Sequence, residues 1–367
     1  MKVIITGGGT GGHIYPAVSL IEELKKRYEN IEIKYIGSVG SLESKIIPKM
    51  GIDFEEIRVK GLPRKINKKS FIALKELIYG LKESKKIIKN FNPDFVLGTG
   101  GFVTGPVLYN ASRMKYKTYF HEQNSYPGLT NRILSRFAKK YFITFEESLK
   151  YFKNTERAIK TGNPIRNRFK NLSSIRESSI EEYGLKKNIK TVFSFGGSNG
   201  SYILNKTIND LIKNKELKGK FQIVHVTGDR YYKDFLSKID NSIEQNIKVF
   251  AYLDDIQKAY SVADLVITSS GAITLAELAY VGIPSILIPK AYTTENHQVH
   301  NALEYEKIGA SKMILEKNLN YSVLYNNIMA ILQDDRSLEK MRKVVKSLAT
   351  PNSAKEIIDN IIEDING

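Results

Sequence analysis

The segment Val3-Ile4-Ile5-Thr6-Gly7-Gly8-Gly9-Thr10-Gly11-Gly12-His13 sets the architecture of the chain. Four strand-favouring residues run into a glycine cluster, and an amphipathic stretch from Pro16 to Tyr28 follows, with Pro16 suited to a first helical turn. Strand, glycine turn and helix in that order open a parallel sheet wrapped by helices. Gly7, Gly9 and Gly12 satisfy G-x-G-x-x-G. Glycines there let backbone approach a ligand, and the first amides of a helix favour negative charge. Dinucleotide-binding dehydrogenases share this fingerprint but want an acid ending the second strand to hold a ribose. Here that strand, Ile31 to Ile36, ends in Tyr35-Ile36-Gly37-Ser38, with Glu32 well inside it. The NAD reading therefore lacks its second element.

The pattern repeats. Phe95–Leu97, Thr118–Phe120 and Tyr141–Thr144 read as further strands of the first half. After Gly162-Asn163-Pro164 a second series begins, with Thr191–Phe195, Gln222–Val226, Lys248–Ala251, Leu265–Thr268 and Ser285–Ile288. Helical segments lie between them, and Ala354 to Ile365 is helical by periodicity. At 367 residues the chain is long for one domain. The expectation is two similar open α/β domains, residues 1–162 and 163–345, with a final helical segment over 346–367.

Two more glycine turns follow strands, Gly98-Thr99-Gly100-Gly101-Phe102 and Gly196-Gly197-Ser198-Asn199-Gly200. Each singly could be tight strand–helix packing; three across both halves point to an anionic ligand. Ser269-Ser270-Gly271 leads into Ala272-Ile273-Thr274-Leu275-Ala276-Glu277, where helix-start amides and a carboxylate one turn later would suit a nucleotide and its ribose. A solvated helix position is the alternative for Glu277, weakened by its small and apolar neighbours.

The 56 Lys+Arg against 39 Asp+Glu give +17, which favours an anionic partner. No nucleic-acid module is recognisable, so nucleic acid is not the expected partner. The absence of cysteine excludes disulfides and thiolate chemistry. The apolar start is too short for a signal peptide, and Leu265 to Pro289 is interrupted by Gly271, Glu277, Gly282 and Pro284, so no membrane span is expected. From Arg58 to Lys89 eleven basic residues face only Glu76 and Glu83. Lys68, Lys75, Lys82 and Lys89 stripe one helix face, while Phe71, Leu74, Ile78 and Leu81 stripe another. That pattern fits a helix on an anionic bilayer surface, or a solvated helix whose apolar side enters the core.

Seven ordered blocks carry a family resemblance: GGGTGGHIYP (7–16), VLGTGGFVTGP (96–106), HEQNSYPGLTN (121–131), GNPIR (162–166), FGGSNG (195–200), SSGAITLAE (269–277) and ENHQVHNA (295–302). They resemble the MurG family, UDP-N-acetylglucosamine transferases that make lipid II from lipid I. The resemblance implies a GT-B fold, with two Rossmann-like domains, an interdomain cleft and a C-terminal helix returning to the first domain. It implies that Ser198 contacts the donor phosphate, Arg166 the uracil region and Leu253 the base. Ala272, Ile273, Thr274, Leu275, Ala276 and Glu277 would surround the nucleotide, with Glu277 on the ribose. Gln298 would read the sugar hydroxyls, with His297 the weaker candidate. Thr10, Gly11, Gly12 and Asn124 would approach the sugar and acceptor, and Gly100, Gly101 and Phe102 would lie on the acceptor and membrane side.

The implied reaction inverts an α-linked donor to a β-1,4 product. A base must then take the acceptor proton. His13 is the first candidate, since imidazole titrates near neutrality; Glu122 or His121 would serve or orient it. Donor UDP-N-acetylglucosamine is expected without a metal, since no Asp-x-Asp occurs. Lipid I, an anionic bilayer at the cytoplasmic face and cell-wall synthesis proteins are the implied partners. The rival within the fold class is a UDP-N-acetylglucosamine 2-epimerase.

Overall fold

The computed structural model describes residues 1–61, 68–166, 169, 171–197, 199–213, 219–239 and 247–367, excepting the side chains of residues 68, 69 and 294. The chain divides into two compact units, one of Met1–Arg166 with Thr350–Gly367 and one of Asn167–Ala349. Both breaks lie a few residues beyond the places suggested by the sequence.

In the first unit seven parallel strands stand in the order β3-β2-β1-β4-β5-β6-β7. They are β1 (Lys2–Thr6), β2 (Glu32–Ser38), β3 (Asp53–Ile57), β4 (Phe95–Gly98), β5 (Lys117–Glu122), β6 (Lys140–Ile143) and β7 (Ala158–Lys160). Side chains alternate across a strand, and the sequence obeys this on both faces. Val3, Ile5, Phe95, Leu97, Tyr119 and Phe142 share one cluster with the helix Gly11–Arg27, whereas Ile4, Val96, Phe120, Tyr141 and Ile143 enter another. The outer strands β3 and β7 escaped the sequence reading because they are short and polar; β3 buries only its last residue.

One expectation changes in detail. The first helix starts at Gly11, so Pro16 lies inside it. His13 and Ile14 both donate to Thr10 O, and Pro16 forgoes only the bond to the Gly12 carbonyl. The final helix, Ser353–Asn366, packs on the first unit: Ile357, Ile358 and Ile361 join Ile14, Ala17 and Ile21 in the core. Arg27 donates to Asp359 at 2.5 Å and Tyr119 OH to Asp364 at 2.5 Å, pinning that helix at its middle and its last turn.

The second unit has six parallel strands in the order β10-β9-β8-β11-β12-β13. These are β8 (Thr191–Phe195), β9 (Gln222–Val226), β10 (Ile247–Phe250), β11 (Leu265–Thr268), β12 (Ser285–Leu287) and β13 (Ser311–Met313). Val192, Ile223, Leu265, Ile267 and Ile286 form its core with Leu204, Ile208, Leu324 and Ile328. In each unit the sheet order reverses direction beside the strand that precedes a glycine turn: β1 against β4, and β8 against β11. Open α/β sheets bind ligands at the carboxyl ends of strands at such points. Among the described residues, no helix is long and apolar enough to cross a membrane.

Candidate functional site

At the switch point of the first unit the two glycine turns close on each other. Gly8 N donates to Gly100 O at 3.2 Å, and Gly9 N donates to Glu43 Oε2 at 3.1 Å. Glu43 is fully buried and also accepts from Ser38 N and Ser38 Oγ, at 3.1 and 2.8 Å. Burial opposes its charge, but hydrogen bonds led by backbone amides outweigh that and hold its pKa below the ordinary carboxylate value. A Cβ at Gly8 would lie 2.0 Å from Glu43 Oε1, so glycine is needed for the carboxylate to reach the loop. This modifies the expectation of an anion cradle: the chain's own carboxylate takes one of the amides a phosphate would have used. Nothing near Glu43 in sequence marks it, because it opens a short helix, Glu43–Ile46, after β2 and acts only through folding.

His13 stands at the mouth of this loop, half-buried. Its Nδ1 lies 3.1 Å from Thr99 O and 3.2 Å from Gln123 Oε1, and Thr99 Oγ1 donates to the His13 carbonyl at 2.7 Å. Gly100 has φ +103°, and a Cβ there would lie 2.7 Å from the imidazole Nδ1. Only glycine admits the ring at this distance. Phe102, 38% exposed, borders Gly9 and Gly61. Thr10 and Gly12 are exposed and Gly11 is half-buried, so the part of the loop not sealed by Glu43 faces outward.

Glu122 and His121 end β5 and are buried. Glu122 Oε1 accepts from Asn124 N at 2.9 Å and Asn124 Nδ2 at 3.2 Å; Oε2 accepts from Gly128 N at 3.2 Å and Asn131 Nδ2 at 2.8 Å. Burial raises its pKa and these donors draw it back. Four donors from its own loop occupy the carboxylate, which makes it the anchor of residues 124–131, with Asn124 carried at the loop's start. His121 is held neutral by burial, its pKa pulled down to about 4. Arg166 lies in the first unit, its guanidinium 4.0 Å from the Tyr15 ring centre.

In the second unit β8 runs into Gly196 and Gly197, and Ser201 caps the helix Tyr202–Ile212. Ser198, expected on the donor phosphate, lies outside the described residues. Beside the turn, Lys290 Nζ donates to Gly200 O at 2.9 Å. Burial pulls the Lys290 pKa below the usual lysine range, while Glu316 nearby favours its charge. The sequence reading missed Lys290; its only local signal is a cation at the end of an apolar strand, Ile286-Leu287-Ile288-Pro289.

After β11, Gly271 caps the helix Ala272–Val281 without any side-chain cap, so its first amides point outward from the sheet's carboxyl end. Ile273, Thr274 and Ala276 are half-exposed, and Ala272 is nearly covered. The Leu275 side chain is fully buried and its amide donates to Gly271 O, so it closes the first turn. Glu277 is 5% exposed and accepts from Tyr260 OH at 3.3 Å, which rules out the solvated position. Leu253 is half-buried just beyond β10. Gln298 Oε1 accepts from Lys290 N at 3.0 Å, and Ser270 Oγ donates to the Gln298 carbonyl at 2.6 Å. These bonds fasten the helix His297–Lys307, where His297 is half-exposed in the first turn, to the segments that follow β11 and β12. Glu295 and Asn296 just before it have φ +52° and +53°, a strained left-handed pair for residues with side chains.

The helix Lys68–Phe91 presents two apolar faces. Ala73, Ser84 and Ile88 are buried, and a Cβ at Gly80 would lie 2.6 Å from Arg58 O. Phe71, Ile72, Leu74 and Ile78 are exposed by 74%, 49%, 52% and 48%. The outer stripe is therefore not the core face. Lys75, Lys82, Lys85, Lys86 and Lys89 are exposed beside it. Lys68 has no described side chain. Since this helix returns from the carboxyl end of β3 to the start of β4, Phe71 and Leu74 lie at the same end of the sheet as His13.

Models of known families match both units: the glycosyltransferase family 28 N-terminal domain over residues 3–143 and its C-terminal domain over 191–361. The N-acetylglucosamine transferase of Finegoldia magna named for pyrophosphoryl-undecaprenol N-acetylmuramyl-(pentapeptide) is 56% identical over 98% of this chain and 97% of its own. Its namesake in Acetivibrio thermocellus is 44% identical over 100% and 98%. Among solved structures, MurG of Acinetobacter baumannii superposes with TM-score 0.79 at 24% identity, covering 99% of both chains. The UDP-GlcNAc 2-epimerase of Neisseria meningitidis superposes with TM-score 0.69 at 16% identity, covering 99% of this chain and 100% of its own. At such identities both likenesses bear on fold alone, the paired Rossmann-like units of GT-B enzymes. Identity at 56% over nearly the whole length separates the two, and the chain belongs to the MurG family of UDP-N-acetylglucosamine transferases within glycosyltransferase family 28.

Proposed function

We propose that this enzyme transfers N-acetylglucosamine from UDP-N-acetylglucosamine to the muramyl 4-hydroxyl of lipid I, giving lipid II with inversion at the anomeric carbon. One observation carries the donor assignment. At the carboxyl ends of β8 and β11 a glycine turn, an uncapped helix start, the buried carboxylate of Glu277 and the cation of Lys290 belong to one switch point. A nucleoside diphosphate asks for that set: helix amides and a cation for phosphate, a carboxylate for ribose hydroxyls.

The first unit supplies the acceptor side. His13 takes the proton of the acceptor hydroxyl as its oxygen attacks the anomeric carbon, and the bond to the diphosphate breaks with its electron pair leaving on UDP. Lys290 and the amides at Gly197 and Ala272–Thr274 meet the charge that develops there. No step is assigned to a metal. Gln298, with Oε1 held by Lys290 N, offers its NH2 group to a sugar hydroxyl, and Leu253 offers an apolar contact to the base. Thr10, Gly11, Gly12 and Asn124 border the acceptor, with Gly100, Gly101 and Phe102 beside them. Arg166, stacked on Tyr15, is assigned to the uracil region of the donor on the family resemblance.

The exposed stripe Phe71, Leu74 and Ile78 with Lys75 and Lys82 docks the first unit on an anionic bilayer at the cytoplasmic face, where a lipid-linked acceptor presents its sugar. Cell-wall synthesis proteins acting on the same lipid are the fitting neighbours.

Thermal melts with UDP and with NAD test the donor site. UDP is expected to raise the midpoint and NAD to leave it unchanged. Following UDP-N-acetylglucosamine without acceptor tests the epimerase alternative. The donor should persist; its conversion to a 2-epimer in the absence of lipid would overturn the reading.

A further inference from the structure

Behind His13 lies a buried chain of polar groups whose proton positions are set by geometry. Gln123 is 1% exposed, and its Nε2 lies 2.7 Å from Thr99 O and 3.2 Å from His121 O. Two carbonyl oxygens flank that end of the amide, so the nitrogen must be there; the flipped amide would set oxygen against oxygen. The same Nε2 lies 3.1 Å from His121 Nδ1. A nitrogen that faces a donor offers its lone pair, so His121 carries its proton on Nε2, which donates to Gly162 O at 2.8 Å. Ser353 Oγ, from the C-terminal helix, donates to that same carbonyl at 2.9 Å. At the other end His13 Nδ1 faces two acceptors, Thr99 O and Gln123 Oε1. It must carry hydrogen.

We propose that Gln123 is a positioning residue which, backed by His121, fixes His13 as the Nδ1–H tautomer and thereby makes Nε2 the atom that receives the acceptor proton. The inference rests on the reading of His13 as base. When Nε2 takes the proton of the attacking hydroxyl, the imidazolium keeps its Nδ1–H on the same two oxygens, and no other member of the chain has to turn. Burial keeps His121 neutral, so its lone pair stays towards Gln123 throughout. In a catalytic histidine, loss of the group that fixes the tautomer lowers kcat by up to about 10⁴-fold even when overall geometry survives. Gln123 is a neutral partner, and the expected fall in kcat is at least tenfold, short of the roughly 10²-fold at the low end of general-base contributions.

The test is nitrogen NMR of the full chain labelled at histidine, above the pH at which His13 protonates, with His13→Gln used to assign its signals. The expected result is a protonated Nδ1 and an unprotonated Nε2 for His13, and the reverse for His121. A His13 protonated on Nε2, or a mixture of tautomers, would overturn the proposal in the wild-type chain itself. In Gln123→Met, of similar length but with no acceptor, His13 should become a tautomer mixture and kcat should fall with the donor KM little changed. A lower kcat with the His13 tautomer unaltered would make Gln123 merely structural and overturn the proposal. If the wild-type tautomers are as stated but His13→Gln keeps full kcat, the base reading fails and takes the proton-acceptor claim with it.

Discussion

His13 shows how much of a site can hang on one side chain's neighbours. Glycine at position 100 admits the ring, the Thr99 carbonyl and Gln123 orient it, and Thr99 Oγ1 holds its backbone. His13→Gln should lower kcat by about 10²–10⁴-fold while the donor KM stays close to wild type, measured by UDP release with a lipid I analogue. A raised KM with unaltered kcat would instead make His13 a binding residue. Lys290→Met should weaken protection by UDP in thermal melts while uridine, which lacks phosphate, protects wild type and variant alike. Equal loss for uridine would remove the phosphate role. Local sequence brought His13 and Glu277 forward as candidates because each lies on a helix that follows a glycine turn, where local chemistry already suggests a ligand. Gln123, Glu43 and Lys290 act across 110, 34 and 90 residues on His13, Gly9 and Gly200, and no local pattern carries such contacts. Leu275 belongs to a motif, but helical periodicity turns its side chain into the core, so only its backbone can line a ligand.

The strands and their glycine turns were legible as elements because buried parallel strands are short unbroken apolar runs, as in Val3–Ile5 and Leu265–Ile267. The edge strands β3 and β7 were not, since one side of an edge lacks a neighbour and tolerates polar residues. The helix Lys68–Phe91 was ambiguous for a physical reason, carrying enough apolar residues for two faces. Packing uses Ala73, Gly80, Ser84 and Ile88 and leaves Phe71, Leu74 and Ile78 outside. Changing Lys75 and Lys82 to Glu should weaken binding to anionic vesicles by about thirtyfold or more, at about 1 kcal/mol per lost basic charge with a further penalty for reversal. Phe71→Ser with Leu74→Ser should weaken it independently of salt. Because these side chains are exposed, melting temperature should hardly move. Vesicle co-sedimentation equal to wild type in both variants would remove the helix from the docking surface.

At the scale of the molecule the two units respond differently to perturbation. Ile358, fully buried in the first unit although near the end of the chain, should cost about 2–5 kcal/mol on replacement by Ala. UDP should protect the second unit, so hydrogen exchange should show ligand protection at Leu265–Leu278 and destabilisation by Ile358→Ala in the first unit. Acid should loosen both units. Burial lowers the His121 pKa to about 4 and the His225 pKa to about 3, from 6.5. The unfolded chain therefore binds these protons first: the contribution is full above pH 6.5 and is lost as pH falls towards the folded values, on the order of 3 kcal/mol or more for each. His225→Gln, which cannot titrate, should flatten the fall in melting temperature between pH 6.5 and 4; an unchanged slope would assign the acid sensitivity elsewhere. The central claim is acceptor-dependent transfer with inversion, and proton NMR of the product formed from UDP-N-acetylglucosamine and a lipid I analogue tests it most directly. The account predicts a disaccharide with a β anomeric coupling at the new 1,4 bond and one UDP released per bond. An α-linked product, or donor consumed with the acceptor untouched, would contradict it.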